Sequence, residues 1–288
     1  MEQKSPLGYR AIGFLIRTIF FGWKVIWAAG GPEATGGLDS AGPAADAIGP
    51  EATSRLDSAA ATVAGSVSAA VGPDTTGGSV FVCNHAGPVG PIVMTGWFKP
   101  GSRPWMIDQM LSLKTMPGYL CSDFFHAQNA LGRAFFRALA HLIAPLALAV
   151  IKATRPISAH NGPNALLTVN ESVMSLIAGQ DNVIFPEDPT VQPLDDACTE
   201  LQTGFLHIAR VYARKTGGEV LPFYPVAVCV GDRTIRVGAR LGFDPARPFA
   251  EQKQAMAERL RAEITQLMAS ARPPCGASGQ PAGPGQAI

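Results

Sequence analysis

Hydrophobic side chains fill residues 8–28, and cations interrupt them at every seventh position, at Arg10, Arg17 and Lys24. A step of seven residues advances an α-helix by almost two full turns, so the cations form one stripe beside a broad apolar surface. Residues 1–28 are therefore predicted to form an N-terminal amphipathic helix that lies in a membrane interface, with its cations against anionic headgroups. A buried first helix with one solvated edge is the alternative interpretation of the same pattern.

This first segment is not predicted to cross a membrane. A spanning helix would place Arg17 near the middle of the bilayer, which costs about 2.5 to 3.5 kcal/mol on insertion scales. Its charges also interrupt the apolar run that a signal peptide needs, and no small-residue cleavage site follows it. An interfacial position avoids both difficulties.

The pattern changes at residues 29–78, where Ala, Gly, Pro, Ser, Thr and Asp dominate. The unit GPEATGGLDSA at 31–41 recurs as GPEATSRLDSA at 49–59, and the segment carries six acidic residues against one basic residue. Too few large apolar side chains are present to offset the entropy of ordering such a chain. Residues 29–78 are therefore predicted to be a disordered acidic linker, and residues 271–288, rich in Pro and Gly, a disordered tail.

Residues 79–270 alternate short apolar runs with segments of helical spacing. Strands separated by helices favour an α/β domain in which helices pack on a central, mostly parallel or mixed β-sheet. The predicted strands are 79–83, 182–185, 220–230 and 234–239, and the predicted helices are 123–148 with a break at Pro145, 165–179, 203–218 and 249–270.

Composition narrows the function classes. The chain has a formal net charge of +1, and this argues against general nucleic-acid binding, which needs a strong basic excess. Hydrophobic residues make up 47% of the chain, yet no uninterrupted apolar run reaches the roughly 18 residues of a spanning helix. The five cysteines form neither a CxxC pair nor a metal-ligand spacing, which indicates reduced thiols in a cytosolic setting. Composition therefore leaves two classes of protein: an apolar soluble enzyme, or a protein that sits on a membrane surface.

Candidate chemistry lies in three motifs at the ends of predicted strands, where sites in α/β sheets form. Asn84 and His85 follow the strand 79–83, and an imidazole at such a place can take a proton from an attacking hydroxyl because histidine ordinarily titrates near about pH 6.5. Glu187 is presented after the strand 182–185 in the sequence NVIFPED. The third motif, LPFYPVAV at 221–228, holds two prolines, which predicts a bulged or edge strand. Taken singly, each motif also fits a purely structural role.

In this order and spacing the motifs resemble the glycerolipid acyltransferase family, which includes the 1-acylglycerol-3-phosphate acyltransferases. The similarity covers about residues 79–240, and its parts are the Asn-His pair at Asn84 and His85, an Arg block at IKATRPI with Arg155, the FPE motif, a glycine-led helix at 201–210, and the Val-Pro-Val-like strand YPVAV.

The resemblance implies an O-acyltransferase of phospholipid biosynthesis that acts on a lysophospholipid such as lysophosphatidic acid, with acyl-CoA or acyl-carrier protein as co-substrate and no cofactor or metal. His85 would act as the base, Glu187 would hold the glycerol hydroxyls of the acceptor or support the Arg155 region, and Arg155 with Lys152 would bind the acceptor's phosphate. The enzyme would work at a membrane surface, on the cytoplasmic face, as a peripheral or monotopic protein. The further substrate-binding residues implied are Asn84, Phe185, Pro186 and Pro225.

The sequence departs from the family pattern at one residue that bears on catalysis. Gly90 stands where the family has the Asp that orients the catalytic His, and Asp188 with Pro189 and Thr190 replaces the Gly-Thr-Arg that follows FPE. Three alternatives follow for the lost carboxylate: Asp108 or Asp123 replaces it, a backbone carbonyl orients the ring, or catalysis is weak or absent. A lipid- or acyl-binding module on the same fold and a thioester hydrolase are the rival functions.

Overall fold

The chain is described here from a computed structural model. Most of the predicted N-terminal helix, nearly all of the predicted linker and the whole predicted tail lie outside the described residues. Those residues are 22–28, 77–87, 89–99, 101–123, 129–160, 162–187 and 198–270.

A seven-stranded sheet in the order β1-β7-β6-β2-β5-β3-β4 organises the domain. Five of its six neighbouring pairs are parallel, and only β6 and β7 run antiparallel. The prediction of an α/β fold with a mostly parallel or mixed sheet is therefore confirmed. The strands are β1 (Lys24–Trp27), β2 (Val80–Cys83), β3 (Arg103–Ile107), β4 (Ile157–Ala159), β5 (Asn182–Ile184), β6 (Phe223–Cys229) and β7 (Thr234–Val237).

Six α-helices surround the sheet in the described part of the chain. The segments predicted over 165–179, 203–218 and 249–270 each contain one of them, and Gly179 adopts the left-handed φ of +76° that ends the first. The helices are α1 (Val89–Trp97), α2 (Met116–Asp123), α3 (Ala130–Ala153), α4 (Ala165–Ile177), α5 (His207–Thr216) and α6 (Phe249–Ala269).

The alternation of side chains along the central strands builds two separate cores. Val80 and Val82 of β2 point to one face, where α4, α5 and α6 pack on the sheet. Phe81 and Cys83 point to the other face, which α1 covers together with a group of aromatic rings. All four side chains are completely buried, so β2 is the central strand of a three-layer domain.

The predicted helix over residues 1–28 is wrong at its end. Lys24–Trp27 form β1, which pairs in parallel with β7 at the edge of the sheet. Trp23 is 6% exposed, and Trp27 stacks on Phe98 at a ring-centroid distance of 6.0 Å. Burial of these aromatic rings against the α1 face of the sheet overrides the helical spacing of the cations. Residues 1–21 lie outside the described part.

The structural effects predicted for two prolines, Pro225 and Pro145, are also wrong. β6 is an interior strand although Pro225 lies within it, because Pro225 faces Gly238, the residue that directly follows β7, and its carbonyl accepts the Gly238 N–H at 2.8 Å. Pro225 therefore lies just beyond the end of the hydrogen-bond ladder between β6 and β7, where its missing N–H interrupts no pair of that ladder. In α3 the helix continues through Pro145 to Ala153 instead of breaking.

Candidate active site

The carboxyl ends of five parallel strands, β6, β2, β5, β3 and β4, meet at one edge of the sheet, called the carboxyl edge below. His85 lies two residues beyond β2, and Phe185 directly follows β5. Their rings approach to a centroid distance of 5.4 Å. The structure thus brings the Asn-His and FPE motifs together, as their places after neighbouring strands predicted.

The ring of His85 is held by the backbone of its own loop. Its Nδ1 lies 2.7 Å from the carbonyl oxygen of Gly87. Because a carbonyl oxygen only accepts hydrogen bonds, Nδ1 carries the proton and Nε2 of the neutral ring is the nitrogen able to accept one. A backbone carbonyl therefore occupies the position of the orienting group that the sequence lacks.

Asp108, one of the two alternative carboxylates, does not hold the His85 ring. Asp108 follows β3 and hydrogen-bonds the Ser158 hydroxyl and, at 3.0 Å, His160 Nδ1. The Ser158 hydrogen bond, and to a smaller extent His160, lowers the pKa of Asp108 below its usual value, although desolvation opposes the shift. Asp123 ends α2, and its side chain lies outside the described part of the structure.

The glycine at position 90 follows from the shape of the loop. A Cβ on Gly90 would overlap the carbonyl oxygen of His85 and lie 2.9 Å from its carbonyl carbon. Ala86 and Gly87 both have positive φ, +47° and +59°, so the chain turns tightly between His85 and α1. With this backbone no side chain fits at position 90, and the same turn brings the Gly87 carbonyl to the ring.

Glu187 is a buried carboxylate, 5% exposed, whose two oxygens are both bound to backbone. Its Oε2 accepts the N–H of His85 at 2.6 Å, and its Oε1 accepts the N–H of Thr199 at 2.8 Å. A charged acceptor makes such bonds stronger than neutral ones. Glu187 therefore ties the chain after β5 to the loop that holds His85 and to the segment that begins at residue 198.

Asn84 is also buried and bound to backbone. Its side chain is 0% exposed, donates to the carbonyl of Val228 at 3.2 Å and accepts the Val228 N–H at 2.7 Å. This pair of bonds extends the contact between β2 and β6 beyond Cys83. Asn84 fixes where His85 begins, and its amide does not face a substrate in this structure.

The two prolines of the predicted site lie in the scaffold. Pro186 is buried, and its carbonyl accepts the N–H of Gln202 at 2.9 Å. Pro225 pairs with Val82 inside the sheet, three residues before His85, and so lies roughly 10 Å below the level of His85. The structure therefore does not bring Pro225 to His85.

Arg155 and Lys152 lie at the opposite side of the sheet from the carboxyl edge, where the parallel strands have their amino ends. The strand registers place Arg155 level with Arg103, the first residue of β3, and the Arg155 carbonyl accepts the Arg103 Nε–H at 2.7 Å. Counting five residues along the strands and three strands across, the Cα atoms of Arg155 and His85 are roughly 20 Å apart. The prediction that these cations share a site with His85 is not met. Arg155 precedes β4 whereas His85 follows β2, and the two strands run in the same direction, so the residues lie at opposite ends of the strands.

His160 is the residue at the carboxyl edge that the sequence did not single out. It directly follows β4, at the level of Asp108 and of His85, and its N–H donates to the Thr168 hydroxyl at 2.9 Å. Its ring is partly exposed, with 28% of the side-chain surface accessible. The place of His160 directly after a short strand was the available signal.

A small cleft, called the α1 cleft below, runs from the carboxyl edge along the α1 face of the sheet. Phe185 and Pro91 line it near His85, and Ser102 and Thr154 line it near the other edge. Met94, Pro104 and Val183 make its wall largely apolar, with Thr95 completing the lining. The cleft therefore joins the surroundings of His85 to the end of α3.

The described residues contain no group of three or more His, Cys, Asp or Glu side chains able to hold a metal ion. Two thiols near the site are held protonated. Burial, with the Glu187 charge as a second cause, raises the pKa of Cys83 well above its usual value and that of Cys198 to about 12. Histidine chemistry is what the carboxyl edge offers.

No family model matches the chain, and no curated protein matches it in sequence. Among solved structures the chain is similar to the crystal structure of the 1-acyl-sn-glycerophosphate (LPA) acyltransferase PlsC from Thermotoga maritima. The identity is 12% and the TM-score 0.44, over 91% of this chain and 80% of that chain. This similarity assigns no role to any residue described above.

Proposed function

We propose that the protein is an O-acyltransferase of phospholipid biosynthesis. It would move a fatty acyl group from the thioester of acyl-CoA or acyl-carrier protein to the hydroxyl of a lysophospholipid such as lysophosphatidic acid. The observation that carries the proposal is the His85 ring, fixed through Nδ1 by the Gly87 carbonyl beside Phe185 and the α1 cleft. A ring fixed in this way presents Nε2 as a general base.

The proposed reaction needs one proton acceptor and one site for a negative oxygen. His85 Nε2 removes the proton of the acceptor hydroxyl as its oxygen attacks the thioester carbon, and the carbonyl electron pair moves to the oxygen. Collapse of this intermediate forms the ester and expels the thiolate, which takes the proton from the imidazolium. The backbone N–H groups of Ala86 and Gly87 form no hydrogen bond with any described residue, and we assign them to the oxyanion.

Glu187 and Asn84 act in this proposal as positioning residues. Glu187 holds the backbone N–H of His85, and Asn84 holds the end of β2 against β6. Both side chains are buried with their polar atoms bound to backbone, which favours positioning over contact with the acceptor's hydroxyls. The carbonyl of Gly87 orients the His85 ring but carries no negative charge, so it stabilises the imidazolium less than a carboxylate does.

We place the acceptor's anionic headgroup toward His160, because His160 and His85 lie at one edge of the sheet. The two residues lie at the same level along the strands, and three inter-strand spacings separate them, so they are roughly 14 Å apart. A bound lysophospholipid bridges such a span. Arg155 and Lys152, at the other edge, then take no part in holding that phosphate.

Both substrates carry long acyl chains, so we place the protein on a membrane surface, at the cytoplasmic face, as a peripheral or monotopic protein. The free thiols among the described residues, Cys83, Cys121, Cys198 and Cys229, are consistent with a reducing compartment.

The proposal is tested by the transfer of a radiolabelled acyl chain from acyl-CoA to lysophosphatidic acid by the purified full chain. We expect phosphatidic acid as the product and a fall in kcat of about 10² to 10⁴ in His85→Ala, the usual contribution of a general base. His207→Ala removes an exposed histidine of α5 and is the matched control. Activity that survives His85→Ala would overturn the mechanism.

Two other results would favour the rival functions. Release of free fatty acid at the same rate with and without acceptor would identify a thioester hydrolase. Tight binding of lysolipid, without transfer from either acyl-CoA or acyl-carrier protein, would identify a binding module on this fold.

A further inference from the structure

The hairpin formed by α2 and α3 has a small core of its own. Met116 and Leu120 of α2 pack against Ala140, Ala144 and Leu148 of α3, in a cluster separate from the two cores on the faces of the sheet. α3 has 24 residues, about 36 Å of helix, whereas α2 has 8. α2 therefore covers one side of α3 only.

The opposite side of α3 is apolar and exposed. Leu131, Phe135, Leu142 and Leu146 are 82%, 62%, 77% and 61% exposed. Their spacing of four, seven and four residues places them in one stripe, about 22 Å long, on a single side of the helix. Among the described residues this is the one helix long and apolar enough to cross a membrane, yet only 17% of its apolar window is buried within the structure. Water is an unfavourable neighbour for such a surface.

The charges of α3 are all positive. Arg133, Arg137 and Lys152 are exposed, His141 is exposed as well, and the helix contains no acidic residue. At 100° per residue, His141 and Lys152 fall on one flank of the apolar stripe, and Arg133 and Arg137 fall on the side opposite it. A cationic helix with one apolar stripe is typical of one lying at an anionic lipid surface.

We infer that the stripe of Leu131, Phe135, Leu142 and Leu146 on α3 seats the protein in the interface of an anionic membrane, with the helix axis parallel to the surface. The inference rests on the proposed membrane location but not on acyl transfer. It names the part of the chain that enters the lipid, a role that sequence analysis gave to residues 1–28.

Charge decides between this occupant and the protein occupants of the stripe. A second copy of α3 would bring like charges together, and residues 1–21 carry three basic residues against one acidic residue. Residues 29–76 are acidic but contain few large apolar side chains. Among these occupants, an anionic lipid surface is the one that offers both negative charge and an apolar layer.

A spanning orientation is disfavoured by the same charges. His141 lies at the middle of α3 and Arg137 one turn before it. Crossing the bilayer would place both in the hydrocarbon, at a cost of about 70- to 400-fold in insertion for a central Arg. With the helix lying in the interface, His141 stays at the level of the headgroups and Arg137 faces away from the hydrocarbon.

The inference is tested by flotation of the full chain with vesicles of phosphatidylcholine, with and without phosphatidylglycerol. We expect binding that requires phosphatidylglycerol and weakens with salt. The double variant Leu142→Glu, Leu146→Glu should lower the partition coefficient about tenfold or more. Leu166→Glu, Leu167→Glu, two leucines of α4 that are 67% and 59% exposed, should leave it unchanged.

A second measurement reports depth and does not depend on loss of binding. Trp introduced by Leu142→Trp should be quenched by brominated lipids on vesicle binding, whereas Leu166→Trp should not, each compared with the wild-type fluorescence. Equal effects of the two leucine pairs, or no quenching at position 142, would overturn the inference. So would a change of oligomeric state in the α3 double variant without a change in vesicle binding, because a second copy would then cover the stripe.

The binding test separates this inference from the proposed function. Vesicle binding through α3 without acyl transfer would remove the function and leave the docking surface. Acyl transfer by the full chain, together with normal vesicle binding by its α3 variants, would remove the docking surface and leave the proposed function.

Discussion

At the carboxyl edge of the sheet the polar side chains Glu187 and Asn84 are buried and hydrogen-bonded to backbone, whereas on α3 the large apolar side chains Leu131 and Leu142 are 82% and 77% exposed. The first region is closed and held in one geometry. The second is a surface that the described protein leaves uncovered.

This difference separates two demands on a protein that acts on lipids. Proton transfer needs atoms held within hydrogen-bond distances, and at His85 the backbone supplies that precision through the Gly87 carbonyl and the His85 N–H. Contact with a bilayer needs area and charge rather than fixed geometry, and α3 supplies both. Substitutions should therefore act sharply at the carboxyl edge and gradually on α3.

The largest effect is expected for Gly90→Asp, which introduces a carboxylate five residues after His85. The new side chain would collide with the His85 carbonyl, so the loop must move and the ring must lose the Gly87 acceptor. We expect kcat/KM to fall about 10²-fold or more rather than rise. Gly231→Asp, at a glycine with open space around it, is the matched control. A gain of activity would show that the carboxylate, not the carbonyl, is the better orienting group in this loop.

A smaller effect is expected for Glu187→Gln. The amide can accept one of the two N–H bonds, but its NH₂ group opposes the other, so one buried N–H is left unsatisfied. We expect the free energy of unfolding to fall by about 2 kcal/mol, measured by urea denaturation, with a loss of transfer activity beside it. Glu200→Gln changes an exposed carboxylate near by and should be neutral. Unchanged stability would mean that Glu187 is not the tie between the two segments.

The two ends of the sheet are compared directly by His160→Ala and Arg155→Ala. We expect His160→Ala to raise KM for lysophosphatidic acid about tenfold with little change in kcat, as loss of one charge-assisted hydrogen bond does. Arg155→Ala should leave both constants near wild type, because Arg155 lies at the other edge. The opposite pattern in steady-state kinetics would place the headgroup at the amino ends of the strands.

The smallest effect is expected for Asp108→Asn. The native pKa of Asp108 is lowered, chiefly by Ser158, so the ionised form adds stability that is present above the unfolded-state pKa and is lost as pH falls through the native pKa. We therefore expect a slightly lower Tm for the variant at neutral pH and a gap that closes below about pH 4. Ser158→Ala should shift Tm in the same direction. A gap that widens in acid would contradict this assignment.

The sequence predicted the elements whose periodicity is simple. β2 and β5 are short apolar runs next to turn residues, and α4 and α6 have helical spacing over many residues. α1 was missed because VGPIVMTGW contains two glycines and a proline, and β3 because RPWMI begins with a cation and a proline. β1 was predicted to be helical because a strand of four residues is too short to show a hydrophobic period of its own. The aromatic burial that holds it at the sheet edge leaves no such pattern in the sequence.

The candidate site was predictable in part for a related reason. The positions of His85 and Phe185 after strands were enough to bring them together, since parallel strands share an edge. The group that holds the His85 ring was not predictable, because a carbonyl position depends on the φ values of Ala86 and Gly87. Arg155 was misplaced because the order of motifs does not say at which end of the following strand a residue lies.

β1 has a further consequence for how the chain is assembled. It is separated from β2 by more than fifty residues of sequence, yet it hydrogen-bonds to β7 and buries Trp23 against the sheet. A chain cut between residues 29 and 76 would leave residues 22–28 attached only by these non-covalent contacts. We therefore expect a short amino-terminal fragment and the remaining domain to reassemble by strand addition.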